Sequence, residues 1–280
     1  MRMIFNFLIV SCLWCCWGQT RIFIISDAEG ATGVCHQDQT LPKGTDMPAL
    51  LTGDVNAAVE GFLAGGADEV YVWDGHGGAD NLSAETIHPK AKLLMGGLPA
   101  NMTFDRKYTA IAFVGQHAMG NVQNAIMAHS YSSLGIQNMK VNGKAVGEID
   151  TRAAMAGQYG VPVIFLSGDQ AAADELHAIV PEAEVAVVKT ALLRNSCETL
   201  SGPAGRDLIR EGARRSMTKI PKIKPYVVQG PVTLEIEYTT RNSLHSDAKY
   251  APHVEIVDDR TIRFTGPTMV EAWTRYRTTR

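Results

Sequence analysis

Cysteine is scarce in the body of this chain. Of five cysteines, Cys12, Cys15 and Cys16 crowd the first residues, leaving only Cys35 and Cys197 beyond them. Neither stands at CxxC spacing, which excludes a disulfide framework and gives a thiol nucleophile little support. A single disulfide between the two is compatible with an oxidising compartment. A basic surplus is missing as well. The 26 Lys and Arg face 29 Asp and Glu, a net charge of −3, and no basic-aromatic run argues for nucleic acid. There is no internal repeat and no low-complexity tract. Gly75, Gly77 and Gly78 follow a strand-like run, yet neither Gly-x-Gly-x-x-Gly nor Gly-x-x-x-x-Gly-Lys is formed, so a phosphate loop is not indicated.

What remains is an ordinary globular composition, 45% hydrophobic and 20% charged over 280 residues, enough for one large domain or two modest ones. The start is the exception. Arg2 precedes an apolar run from Met3 to Trp17, broken by Asn6 and Ser11 and followed by Gly18. A positive start, an apolar middle and a small residue before cleavage are the marks of a secretory signal over residues 1–18. The run is marginal for a membrane span, which needs about 20 apolar residues. Ile9-Val10-Ser11-Cys12 also resembles a lipoprotein processing box. The expected location is therefore periplasmic or extracellular, with a misassigned start and a cytoplasmic protein as the alternative.

Three strand-like runs end in groups that bind metals. Arg21–Ser26 leads into Asp27-Ala28-Glu29-Gly30, Glu69–Trp73 into Asp74-Gly75-His76, and Thr109–Gly115 into Gln116-His117. Helix-spaced Leu51, Val55, Val59 and Phe62 separate the first two runs, as in a βαβ unit with parallel strands. In such a sheet ligands gather beyond the carboxyl ends of the strands. Asp27, Glu29, His76 and His117 would meet there, and two carboxylates beside two imidazoles suit Zn²⁺, with Mn²⁺ or Co²⁺ as alternatives. A bridging carboxylate commonly holds a metal pair about 3.5–4 Å apart. Asp74 reads as a turn residue or as a group orienting His76 from behind. His129, in Met127-Ala128-His129-Ser130, and Glu148, in Val146-Gly147-Glu148, stand among small neighbours. His36, His88, His177, His245 and His253 show no ligand spacing. The arginines of the helix expected over Ser201–Met217 read as a solvated face or a subunit contact.

The expected fold is α/β, a Rossmann-like αβα main domain over residues 21–198 with a smaller α+β domain over residues 199–280. The Asn142-Gly143 pair predicts a hairpin within Met139–Ile149, and helix is expected over Asp150–Tyr159. The second domain is marked off by loss of the βαβ rhythm after Glu198, with alternation in Val232–Thr239 and a hairpin turning at Asp258-Asp259.

With these motifs in order, the chain resembles the zinc-dependent D-aminopeptidases of the dipeptide-transport-operon type, from about residue 21 to the C-terminus. Asp27-Ala28-Glu29-Gly30, Asp74-Gly75-His76, Gly115-Gln116-His117, Met127-Ala128-His129-Ser130 and Val146-Gly147-Glu148 carry the likeness. The resemblance implies two Zn²⁺ per chain, with Asp27 bridging and Glu29, His76, His117 and Glu148 completing the shells. It implies His129 as the catalytic residue, a ring-forming homo-oligomer, and cleavage of short peptides with N-terminal D-residues, such as D-Ala-D-Ala. Two positions depart from the family pattern, which has serine where this chain has Ile25 and Gly75. Competing readings are a binuclear metallohydrolase of another ester or amide, such as a phosphoester, and a non-catalytic periplasmic peptide-binding protein. The first usually opens on Asp-x-His, where the first strand here runs into Asp27-x-Glu29, and carries a Gly-Asn-His motif, which is absent. The second leaves a concentrated set of metal ligands without a purpose.

Overall fold

A computed structural model describes residues 18–99, 104, 107–241 and 251–279. The expected leader lies outside these residues save for Gly18, as does His245. Among the described residues no helix is long and apolar enough to cross a membrane.

The first half is built on uninterrupted apolar runs. Strand β1 (Arg21–Ser26) and β4 (Ala110–Gln116) are buried almost throughout, the pattern of central strands covered on both faces. They pair in parallel with each other, and β1 also pairs with β2 (Glu69–Asp74). With β3 (Ala91–Leu94), β7 (Val163–Asp169), β8 (Glu184–Leu193) and β9 (Ser196–Thr199) they form a seven-stranded sheet in the order β3-β2-β1-β4-β7-β8-β9. Only the β8–β9 pair is antiparallel. The direction of strand addition reverses between β1 and β4. That reversal is the switch point at which open α/β sheets form their ligand crevice.

Helix α1 (Met47–Ala64) packs against α4 (Gly202–Ser216), and α2 (Glu148–Gln158) against α3 (Gln170–Ile179), giving the expected αβα layering. Helix α1 begins four residues ahead of Leu51, where the apolar periodicity starts, and ends at Gly65-Gly66, where Gly66 takes φ +101°, a glycine helix stop. Glycine also lets α1 and α4 touch closely. A Cβ at Gly61 would lie 2.3 Å from the Arg210 carbonyl oxygen.

The second sheet is wholly antiparallel: β11 (Val254–Ile256), β12 (Thr261–Gly266), β10 (Val232–Tyr238), β5 (Ile136–Val141) and β6 (Lys144–Ala145), in that order. Its strands alternate, as half-buried strands do. Asn142 and Gly143, at φ +49° and +81°, close the β5–β6 hairpin in the manner their dipeptide predicts. Helix α5 (Met269–Thr278) packs on β10 and β12 and also touches α2. A division at residues 198/199 is not what the sheets follow. β5 and β6 precede it but pair within the second sheet, while α4 follows it but covers the first. The composition shift marks a change of local rhythm. Layer membership depends instead on non-local pairing, such as Val141 with Leu234, and on which helix α4 can approach.

Candidate metal centre

Asp27 and His117 meet because β1 and β4 converge beyond their ends. The Asp27 amide donates to the Val114 carbonyl at 2.8 Å and that of Gly30 to the Gly115 carbonyl at 2.7 Å. Gly115 lies at φ +76°, and a Cβ there would sit 2.0 Å from the Asp27 carbonyl oxygen. One at Gly30 would sit 2.1 Å from the Gln116 carbonyl oxygen. No larger residue permits this approach.

His76 follows β2 on a loop organised by Asp74. That buried carboxylate accepts from the Asn81 amide, the Asn81 side chain and the Leu82 amide at 2.7–2.9 Å. Asn81 also donates to the His76 carbonyl at 2.7 Å. Asp74 therefore acts on the loop backbone, while the ring is oriented by the Thr40 carbonyl, 3.1 Å from Nε2. Nδ1 is left facing Asp27 Oδ1 at 3.0 Å and Glu29 Oε2 at 3.1 Å. In His117 the roles of the nitrogens are exchanged. Nδ1 donates to the Ala118 carbonyl at 2.8 Å, and Nε2 faces Asp27 Oδ2 at 3.4 Å and Glu148 Oε1 at 3.5 Å. Each imidazole thus has one nitrogen tied to a carbonyl and one turned to carboxylates, and a metal-binding histidine is usually oriented in this way by a carbonyl behind it.

Glu148 is the first residue of α2 rather than a hairpin flank, and the positive helix end favours its charge. Arg152, one turn on, reaches its other oxygen at 2.8 Å, and the Tyr131 amide donates to Oε1 at 3.2 Å. The Arg152 guanidinium lies 5.4 and 5.5 Å from the ring centres of Trp73 and Tyr131. His129 completes the group. Its Nδ1 donates to the Met127 carbonyl at 2.9 Å. The ring stacks on His117 with centroids 4.1 Å apart and planes 13° from parallel, and Nε2 lies 4.0 Å from Glu29 Oε1. All six residues singled out in the sequence are therefore brought together, beneath a cavity of about 770 Å³.

Carboxylates crowded out of water favour positive charge among them. Burial opposes the charge on His76, but hydrogen bonds to Asp27 and Glu29 outweigh it and push that ring up to about 11. Burial opposes His117 too, and Glu148 with Asp27 pushes it up to about 10. Burial alone would raise Asp27, yet the His76 hydrogen bond and the charge of His117 hold it well below the usual range. His129 moves the other way, lowered first by burial and then by the charge of His117.

The donor set fits a metal. His117 Nε2 is buried with no closer polar neighbour than the carboxylate oxygens at 3.4 and 3.5 Å, and a buried polar atom of this kind calls for a partner. Ligand atoms of Asp27, Glu29 and His76 lie within 4.8 Å of one another, as do those of Asp27, His117 and Glu148, and those of Glu29, His117 and His129. Oxygen and imidazole donors without thiolate suit zinc.

Four supporting residues were not picked out in the sequence. Thr40 and Asn81 carry no local signal. Arg152 could have been found, since it stands four residues after Glu148 on one helix. Lys189 could also have been noticed as a lone cation within an apolar strand. Its buried Nζ donates to the carbonyls of Glu29, Ala31 and Val34, bracing the turn that carries Glu29. Cys35 and Cys197 form a disulfide that ties the loop after β1 to β9. The two departures from the family pattern also meet. A Cβ at Gly75 would lie 2.7 Å from the Ser26 carbonyl oxygen and 3.3 Å from Ile25 Cγ2. The Ser26 carbonyl, with the branched Ile25 beside it, thus closes the space that a serine at position 75 would need.

Comparison with known proteins agrees with this arrangement. The D-aminopeptidase family matches residues 20–278. A D-aminopeptidase of Bacillus subtilis (strain 168) is 29% identical over 264 residues, covering 90% of this chain and 94% of that protein. The solved structure of the zinc-dependent D-aminopeptidase DppA from Bacillus subtilis, described as a self-compartmentalizing protease, superposes with a TM-score of 0.85 at 26% identity. That likeness covers 93% of this chain and 96% of that one. A match running from β1 to α5 takes in both sheets and every residue of the centre, and the chain belongs to the D-aminopeptidase family.

Proposed function

We propose that this protein is a zinc-dependent aminopeptidase that cleaves short peptides bearing an N-terminal D-residue, with a pair of zinc ions in each chain. The observation that carries the pairing is the position of Asp27. Its Oδ1 faces His76 and its Oδ2 faces His117, so one carboxylate serves two groups of donors. Glu29 and His76 would hold the first ion, and His117 and Glu148 the second. When bound, such a pair supplies Lewis acidity toward the peptide carbonyl and a nucleophilic water near neutral pH.

The chain's own residues supply the rest. His129 keeps its proton on Nδ1 for the Met127 carbonyl, which leaves Nε2 free at the cavity. Its lowered affinity for a proton suits a group that must be neutral before it takes one. Nε2 is therefore placed to pass a proton to the leaving amine beside the scissile bond. The relative described as self-compartmentalizing supports a homo-oligomer for this chain as well. The leader pattern and the Cys35–Cys197 disulfide together favour export, where D-Ala-D-Ala from cell-wall fragments is the substrate we assign.

The test joins metal content to hydrolysis. Purified protein is expected to carry about two zinc ions per chain and to cleave D-Ala-D-Ala in preference to L-Ala-L-Ala, with the activity lost on chelation. Cleavage of L-peptides alone would remove the substrate assignment. Zinc without any peptide hydrolysis would point to another metallohydrolase, and failure to bind metal would sink the centre itself.

A further inference from the structure

The segment between β4 and β5 carries unusual backbone. Asn121, Asn124, Met127 and Tyr131 all take positive φ, at +68°, +55°, +47° and +63°. Asparagine visits this region readily, whereas a long side chain such as that of Met127 does so only under strain. The strained Met127 peptide is the one whose carbonyl receives the His129 Nδ1 proton. Conformations of this kind persist only where surrounding groups over-determine them.

Two groups do so here. Asp169 Oδ2 accepts from the Ile126 amide at 3.0 Å while its Oδ1 caps α3 at the Ala172 amide. Arg194, exposed at the tip of the β8–β9 hairpin, grips the next two residues. Its carbonyl accepts from the Met127 amide at 2.9 Å, and its Nη1 donates to the Ala128 carbonyl at 2.7 Å. Arg194 does not line the cavity and belongs to none of the donor groups. The hairpin is itself anchored, because Cys197 on its return strand is bonded to Cys35.

We propose that Arg194 is a positioning residue for His129, holding the left-handed Met127 peptide that fixes the ring's tautomer and aim. This rests on the role given to His129 in the peptidase reading. The backbone half of the grip survives any substitution, so Arg194→Ala removes only the guanidinium. It is expected to lower kcat about tenfold to a hundredfold, the scale of a small misplacement of a reacting group. KM and zinc content should stay unchanged. Arg194→Lys, which keeps a donor, should recover part of the loss, and Asn195→Ala at the same tip should have no effect.

A double-mutant cycle decides whether Arg194 acts through His129. In a His129→Ala background, Arg194→Ala should cause no further loss, since coupled residues are non-additive. Equal losses in both backgrounds, or full activity in Arg194→Ala, would overturn the proposal. A crystal structure of Arg194→Ala gives a readout free of activity. The Ala128 carbonyl should turn from its present direction and the His129 Nδ1 bond should lengthen, and an unmoved segment would refute the idea. If the wild-type enzyme cleaves no D-peptide, the peptidase reading fails by itself, and the crystal structure still judges Arg194.

Discussion

The residues of the centre are held in two different ways. Asp27, Glu29, His76 and His117 follow the ends of β1, β2 and β4, where ladder hydrogen bonds and the glycine contact at Gly115 leave the backbone little freedom. Glu148 and His129 come from the junction with the second sheet, one on the first turn of α2 and the other on a loop with left-handed residues. The strand-end set rests on buried core, while the junction set rests on individual hydrogen bonds from Met127, Asp169, Arg194 and Arg152. Metal binding should therefore be robust to changes that misplace His129, and the two properties should be separable by mutation.

The sharpest break of that comparison is at Asp27, the carboxylate that faces both His76 and His117. Asp27→Ala is expected to remove both zinc ions and lower hydrolysis by at least about 10³-fold, and one ion retained in elemental analysis would contradict the shared role. His129→Ala should lose about 10²–10⁴-fold in kcat, the scale of general acid–base catalysis, with zinc content intact. Loss of zinc in that variant would collapse the distinction between the sets.

Acid titration probes the support of the strand-end set. Buried Asp54 accepts from the Thr32 amide at 2.7 Å, and burial raises its carboxyl to about 6, against the opposing hydrogen bonds from Thr32. A raised value means that the folded state holds the proton better than the unfolded chain does. That contribution is complete below about pH 4 and is lost as pH rises through 6. Asp54→Asn should therefore gain on the wild type by up to about 3 kcal/mol between pH 4 and pH 7. Urea unfolding at both pH values measures the gap, and a gap independent of pH would refute the assignment. The smallest expected effect is at Lys189. Lys189→Met frees three carbonyls behind Glu29 and should weaken zinc about 10–100-fold, as loss of an outer-shell partner does. Chelator competition reads it, and unaltered affinity would show that the turn holds its shape unaided.

Much of the strand-end set was legible in the sequence because it is local. An apolar run followed at once by Asp27-x-Glu29 or Asp74-x-His76 states both the strand and the place of its ligands. The Asn142-Gly143 turn is local in the same sense. The junction set was legible as residue types but not as geometry. Glu148 read as a hairpin flank, yet the chain turns into helix two residues earlier than its helix pattern suggests. β9 escaped notice because Ser196–Thr199 has no apolar run and exists as a strand through pairing with β8.

By itself, then, the sequence determined the α/β rhythm, the strand ends on which the centre is built and the four candidate donors that follow them, since these depend on neighbours along the chain. Tertiary structure alone decided that Asp27 faces two donor groups, that β5 and β6 join the second sheet, and that Lys189 and Arg194 brace the turns bearing Glu29 and His129. Those outcomes depend on hydrogen bonds between residues up to 160 positions apart, and no local pattern encodes such a partner.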